Sequence, residues 1–238
     1  MAERSNVLPW KGSVGESLPG VRIPPSPQIN MNKSIIFDWS GTLSDNFHCF
    51  CEVCGLMFKD LGREKISPEE IRLNFTLPYM KFWNHYFPNL SKETQCELYE
   101  KYIHKVSEPE ICEGVKDLIK KLKEEGWHIF VLSSDPISKL SLEVERSGLA
   151  PFFTKVVGNI HEKGETLKQI IGEFKLDKAL TYYVGDTSGD VEAGKIADVK
   201  TIGISWGFQH KSVLEKSEPD FLIDDIAEID GISSQSML

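Results

Sequence analysis

No apolar run in the 238-residue chain reaches the roughly 20 residues that a bilayer-spanning helix needs. No segment of the secretory type opens the chain either. Positive charge is scarce: 27 lysines and arginines face 36 aspartates and glutamates, for a formal net charge of −9. A field of that sign disfavours nucleic acid and anionic membrane as partners. A small anionic substrate remains compatible with it, because a local cation can override the field. Cysteine numbers five, an odd count that argues against a disulfide framework without a secretion signal. Internal repeats are absent. The expectation is a soluble, cytoplasmic protein with no nucleic-acid or membrane partner, monomeric or homodimeric. Hydrophobic residues make up 40% and charged residues 26%, enough for one α/β domain or a core with a smaller insert.

Residues 1–30 hold Pro9, Pro19, Pro24, Pro25 and Pro27 with no sustained periodicity. Such a stretch buries too little apolar surface to offset its ordering entropy, so it reads as a disordered tail. Order begins at Ser34-Ile35-Ile36-Phe37, a short apolar run of the kind a buried parallel strand shows. Comparable runs lie at Trp127–Leu132, Phe153–Val157, Thr181–Val184, Thr201–Ile204 and Phe221–Ile223. Between them, Val115, Leu118, Ile119 and Leu122 form a helical stripe stopped by Gly126, and Leu167, Ile170, Ile171 and Phe174 form another. Strands alternating with helices predict a Rossmann-like, doubly wound parallel sheet. Its ligand crevice lies at the carboxyl ends of the strands, where Asp38, Ser133 and Asp186 stand. Residues 46–111 break the alternation, are rich in aromatics and read as several helices. The expected division is a core of 31–45 and 112–238 with a helical cap over 46–111.

Four clusters carry chemistry. In Phe37-Asp38-Trp39-Ser40-Gly41-Thr42-Leu43 a carboxylate ends a buried strand, and the small-residue turn offers backbone N–H groups as an anion-binding concavity. Gly185-Asp186-Thr187-Ser188-Gly189-Asp190 sets two carboxylates four residues apart on a loop entering a helix, a pattern that suits a hard divalent cation. Ser133-Ser134 offers a hydroxyl and a following N–H to a phosphate oxygen. Lys163, near a helix start, is placed to neutralise phosphate and carboxylate together. Each feature alone is explained as well by a cap or a solvated side chain.

In this order the four resemble the motifs of the haloacid dehalogenase-like superfamily, over residues 34 to about 225. The stretch Tyr182 to Gly207 resembles the phosphoglycolate phosphatase branch, which also carries a helical (C1-type) cap after the first motif. The resemblance implies Asp38 as the nucleophile that forms an aspartyl-phosphate. It implies Asp186, Asp190, Asp38 and the backbone carbonyl of Ser40 as Mg2+ ligands. Ser133, Ser134, Gly41, Thr42 and Lys163 would hold phosphate, and Lys163 would also neutralise charge. The substrate would be a small phosphorylated metabolite.

The chain departs from the pattern at Ser40, where most phosphatases of the superfamily carry an acid/base aspartate. A serine hydroxyl is a poor acid and base near neutral pH, and such help is typically worth roughly 100- to 10,000-fold. Three readings follow, in this order. The first is a phosphatase that favours good leaving groups or works slowly. The second is a phosphonatase-like enzyme, since Phe37 to Thr42 also resembles the first motif of phosphonoacetaldehyde hydrolase, with Lys81 of the cap as its Schiff-base lysine. The third is a phospho-ligand-binding pseudoenzyme. The spacing of His48, Cys49, Cys51 and Cys54 is not that of a standard zinc site. Asp45 reads as a cap hinge or helix N-cap.

Overall fold

The computed structural model describes residues 33–160 and 162–235. The predicted tail over 1–30 lies outside them. In chain order the strands are β1 (Ser34–Phe37), β2 (Ser44–Asp45), β3 (Glu110–Ile111), β4 (His128–Leu132), β5 (Lys155–Val157), β6 (Thr181–Gly185), β7 (Lys200–Ile204) and β8 (Phe221–Ile223). The helices are α1 (Phe47–Asp60), α2 (Pro68–Asn74), α3 (Met80–Tyr86), α4 (Lys92–Ile103), α5 (Val115–Glu124), α6 (Ile137–Ser147), α7 (Lys163–Phe174), α8 (Ser188–Ala197), α9 (Lys211–Glu215) and α10 (Glu228–Gln235).

Six strands form one sheet in the order β5-β4-β1-β6-β7-β8, and every pairing is parallel. The doubly wound sheet expected from the alternation is therefore present. Side chains alternate across a strand, and the two faces have separate cores. Ile35 and Phe37 pack with Val115, Leu118, Ile119 and Leu122 of α5. Ile36 packs with Leu167, Ile170 and Ile171 of α7 and with Ala193 and Ala197 of α8. Each fully buried aliphatic side chain contributes roughly 1.5–3 kcal/mol of transfer free energy. β1 lies between β4 and β6, so the three strands ending at Ser133, Asp38 and Asp186 are neighbours, and the fold brings their carboxyl ends together.

β2 and β3 pair antiparallel where the chain leaves the core and returns to it, and α1–α4 lie between them. Asp45 belongs to this linker; the residue preceding α1 is Asn46. Ser67 and Ser91 cap α2 and α4 by accepting the N–H groups of Glu70 and Thr94, and Pro68 sits in the first turn, where its missing N–H costs nothing. The cap has its own apolar core, including Phe47, Phe58, Phe82, Trp83 and Tyr86. Cys54 is buried in it, and Cys49 donates its thiol to the Ser107 carbonyl at 3.0 Å.

Candidate active site

Asp38 follows β1, and its N–H still donates to the Val184 carbonyl of β6 at 2.8 Å, which ties the nucleophile candidate to the strand that delivers Asp186. Asp190 lies in the first turn of α8. Its carboxylate and the Thr187 side chain form a reciprocal capping box. Lys163 opens α7. Its ammonium bridges Asp38 Oδ1 and Asp190 Oδ1, both at 2.7 Å. Among the described residues, Asp38, Asp186 and Asp190 are the one group of acidic, histidine or cysteine side chains close enough to hold a metal, with ligand atoms within 4.8 Å of one another.

These three carboxylates are 4%, 1% and 2% exposed, and that burial sets their charge. Loss of water pushes the Asp38 carboxyl up to about 7, against the pull of Lys163 and with the repulsion of Asp190 added. Burial, with Asp38 and Asp190 nearby, also raises Asp186. Asp190 is lowered: burial opposes its charge, but Lys163, Thr187 and Tyr183 outweigh it. Its four acceptor positions are filled, Oδ1 by Lys163 and the Tyr183 hydroxyl (2.9 Å) and Oδ2 by the Thr187 N–H and hydroxyl. Asp38 Oδ2 and Asp186 Oδ1 accept from no described donor, while Asp186 Oδ2 accepts the Phe208 N–H at 2.6 Å. Buried, mutually repelling oxygen ligands with free lone pairs fit a hard divalent cation such as Mg2+.

The phosphate-binding candidates divide. The Ser133 hydroxyl is buried at the end of β4. Ser134 and Lys163 line a cavity of about 420 Å³ beside Asp190, with Leu77 of the cap on another wall. Gly41 and Thr42 play a different part from the anion concavity expected of them. Their N–H groups close the turn onto Ser44 and Trp39 carbonyls, so neither is free for an anion. The Thr42 hydroxyl, however, is buried without a partner. Gly41 is required by space, since a Cβ there would lie 2.4 Å from Asp186 Oδ2, and its φ is +79°.

Residues 35–204 match the family model described as haloacid dehalogenase-like hydrolase. The chain belongs to this family. A phosphoglycolate phosphatase of Synechococcus elongatus is 24% identical over 202 residues, covering 81% of this chain and 92% of the relative. The pyrophosphatase PpaX of Listeria monocytogenes is 24% identical over 204 residues, covering 82% and 94%. Among solved structures, a haloacid dehalogenase-like hydrolase of Streptococcus pneumoniae superposes with a TM-score of 0.70 at 21% identity, covering 86% of this chain and 99% of the other. A haloacid dehalogenase-like protein of unknown function from Agrobacterium tumefaciens gives 0.72 at 17%, covering 87% and 99%. These structural likenesses establish the fold.

Against the family pattern, two groups of residues here escaped sequence reading. The first is Asp135, two residues beyond Ser133. Its Oδ2 accepts the Ser40 hydroxyl through a short hydrogen bond and the Ser133 hydroxyl at 3.3 Å, and its Oδ1 takes Lys139 Nζ at 3.0 Å. Asn46 Nδ2 donates to Ser40 Oγ at 2.8 Å. An acidic residue directly after the Ser133-Ser134 pair was the available signal. The second is the loop after β7. Arg72 of α2 donates to the Gly207 and Trp206 carbonyls, both at 2.9 Å, and stacks over Phe47 at 4.0 Å. Phe208 enters the cap core between Phe47, Phe50 and Phe75. A Cβ on Gly207 would lie 2.3 Å from Asp186. The same loop thus grips the cap on one side and Asp186 on the other; its aperiodic sequence carries no sign of this. Lys81 lies exposed on α3, and no hydrogen bond of the site reaches it.

Proposed function

We propose that this haloacid dehalogenase-like hydrolase is a Mg2+-dependent phosphatase that cleaves a small phosphorylated metabolite through an aspartyl-phosphate on Asp38. The observation that carries the reading is the buried bridge of Lys163 between Asp38 and Asp190, beside the two free carboxylate oxygens of Asp38 and Asp186. It agrees with the names of the relatives, a phosphoglycolate phosphatase and a pyrophosphatase.

Asp38 and Asp186 would hold the cation, together with the Ser40 carbonyl; Asp190, expected as a further ligand and close enough to be one, has its acceptor positions filled and fixes Lys163 instead. When bound, the cation supplies charge neutralisation at the carboxylates and at the phosphoryl oxygens. Lys163 holds Asp38 Oδ1 and so fixes the orientation of the attacking carboxylate. Its positive charge also offsets the charge that gathers on the phosphoryl group during transfer. Ser133 and Ser134 orient the phosphoryl oxygens, and the Thr42 hydroxyl offers an unused donor. The cap, gripped by Arg72 and Phe208, covers the carboxyl ends of the strands and excludes water until the ester is cleaved. Exposure of Lys81 favours phosphate ester hydrolysis over the Schiff-base alternative.

The test is phosphate release from p-nitrophenyl phosphate, acetyl phosphate and phosphoglycolate with Mg2+, beside the Asp38→Asn variant. The expected result is turnover by the wild type and a loss of at least roughly 10,000-fold in the variant, with a phosphorylated Asp38 trapped from the wild type by acid quench. Turnover that survives Asp38→Asn would sink the reading.

A further inference from the structure

The hydroxyl that replaces the family's acid/base aspartate is not isolated. A serine hydroxyl has one proton to donate and two lone pairs. At Ser40 the proton is given to Asp135 Oδ2, one lone pair takes the Asn46 amide, and one lone pair remains. Asp135 stands three residues past the end of β4, the strand beside β1, and its side chain is 18% exposed. It is braced from behind by Lys139 and from its own strand end by Ser133, whose Oγ accepts the Asp135 N–H at 3.1 Å. A carboxylate, a hydroxyl and an open lone pair therefore lie in series, two residues from the nucleophile.

We propose that Asp135 is the positioning residue that makes Ser40 a proton relay, so that the pair performs the acid and base duties of the missing aspartate. The proposal rests on the phosphatase reading and adds to it the source and the destination of the proton. In the first step Asp38 forms its bond to phosphorus as the bond to the leaving oxygen breaks. Asp135 enters this step protonated, having taken a proton from solvent or, through Ser40, from the water of the preceding turnover; Ser40 gives its own proton to that oxygen as it takes the proton of Asp135. In the second step water attacks the phosphorus of phospho-Asp38 and the Asp38 oxygen leaves. The proton of the water passes to Ser40 Oγ as the proton of Ser40 returns to Asp135. Ester and water are consumed, alcohol and phosphate are formed, and Asp135 ends as it began.

The test uses the full chain with Mg2+ and two aryl esters of like shape, p-nitrophenyl phosphate and the slower-leaving phenyl phosphate. Nitrophenolate needs little help from an acid, whereas the attacking water always needs a base. Asp135→Asn is therefore expected to release one equivalent of nitrophenolate in a burst and then turn over roughly 100-fold more slowly than the wild type, while phenyl phosphate shows no burst. Ser40→Ala should behave alike, which keeps the test decisive should Asp135→Asn fold poorly. Adding Ser40→Asp to Asp135→Asn should restore steady turnover to within about tenfold of wild type, because the carboxylate then stands at the relay position itself. A merely structural Asp135 would slow both esters equally, with no burst and no rescue; that result, or wild-type rates in Asp135→Asn, overturns the proposal. No turnover by the wild type, or full turnover by Asp38→Asn, would instead fail the phosphatase reading.

Discussion

The two flanks of Asp38 are built on opposite principles. On the β6 side stand Asp186 and Asp190, buried to within 2% of complete, with Asp38 and Asp186 held above their ordinary carboxylate range chiefly by burial. One lysine bridges two of the three acids, Asp38 and Asp190, so this flank has surplus negative charge and unused lone pairs. On the β4 side stand Ser40, Ser133 and Asp135, and there Lys139 serves two carboxylates, Asp135 at 3.0 Å and Glu143 at 3.7 Å. On that flank the Asp135 carboxylate takes its donors from within the protein. The first stores charge that a ligand must relieve, and the second stores a proton path. Chemistry that needs a cation and chemistry that needs a proton are thus separated by the width of one strand.

The largest effect that would sharpen this division is expected from Lys163→Met. It removes the one cation of the charged flank and should lower kcat by about 100- to 1,000-fold, the range for losing a preorganised charge-stabilising donor. The loss should fall on phosphoryl transfer to Asp38, so the nitrophenolate burst expected of Asp135→Asn should be missing. Rapid-quench kinetics of the two variants side by side decide this. If both show the burst, the two flanks do not act on separate steps.

A second effect concerns stability in the metal-free protein. The Asp38 carboxyl has an ordinary value of 3.8 and a folded value of about 7. Between these pH values the folded chain keeps a proton that the unfolded chain has lost, so Asp38 makes stability fall as pH rises across that window. Asp38→Asn should remove this slope and leave the metal-free variant more stable than wild type at pH 8 by about 2–4 kcal/mol. Mg2+ should narrow the gap by favouring the charged wild-type site. Denaturant titrations at pH 5 and pH 8, with and without Mg2+, read this directly. Asp135→Asn, on the other flank, should show no such reversal by Mg2+.

The same division marks what the sequence made legible. Asp38, Asp186 and Asp190 each fall within a few residues of an apolar strand, and a parallel sheet sends strand ends to one crevice, so local pattern sufficed to bring them together, while their roles came from the family resemblance alone. Ser40 and Asp135 are 95 residues apart, and their meeting depends on β1 and β4 being neighbours, which alternation of strands and helices does not specify. Gly41 and Thr42 show the reverse failing. Their position suggested free N–H groups, but whether an N–H is free depends on how the turn closes, and this one closes on Trp39 and Ser44. The cap was legible as helical from its aromatic content, yet Phe208, which lies outside it in sequence, completes its core.

The smallest effect comes from Arg72, and it tests whether the flanks are separable from a distance. Its guanidinium holds the Trp206 and Gly207 carbonyls, one residue before the N–H that Phe208 gives to Asp186. Arg72→Ala should loosen that loop and disturb the charged flank alone. Hydrogen bonds of a charged group contribute about 1.5–3 kcal/mol, but part of that is lost to the cap, so a threefold to tenfold rise in the Mg2+ concentration for half-maximal activity is expected, about 1 kcal/mol. Arg72→Lys restores charge without the two-pronged geometry and should recover only part of it. The ratio of rates on p-nitrophenyl and phenyl phosphate belongs to the Ser40 flank and should stay at its wild-type value. If that ratio moves with the Mg2+ requirement, the cap loop positions both flanks together and the division between them is not a physical one.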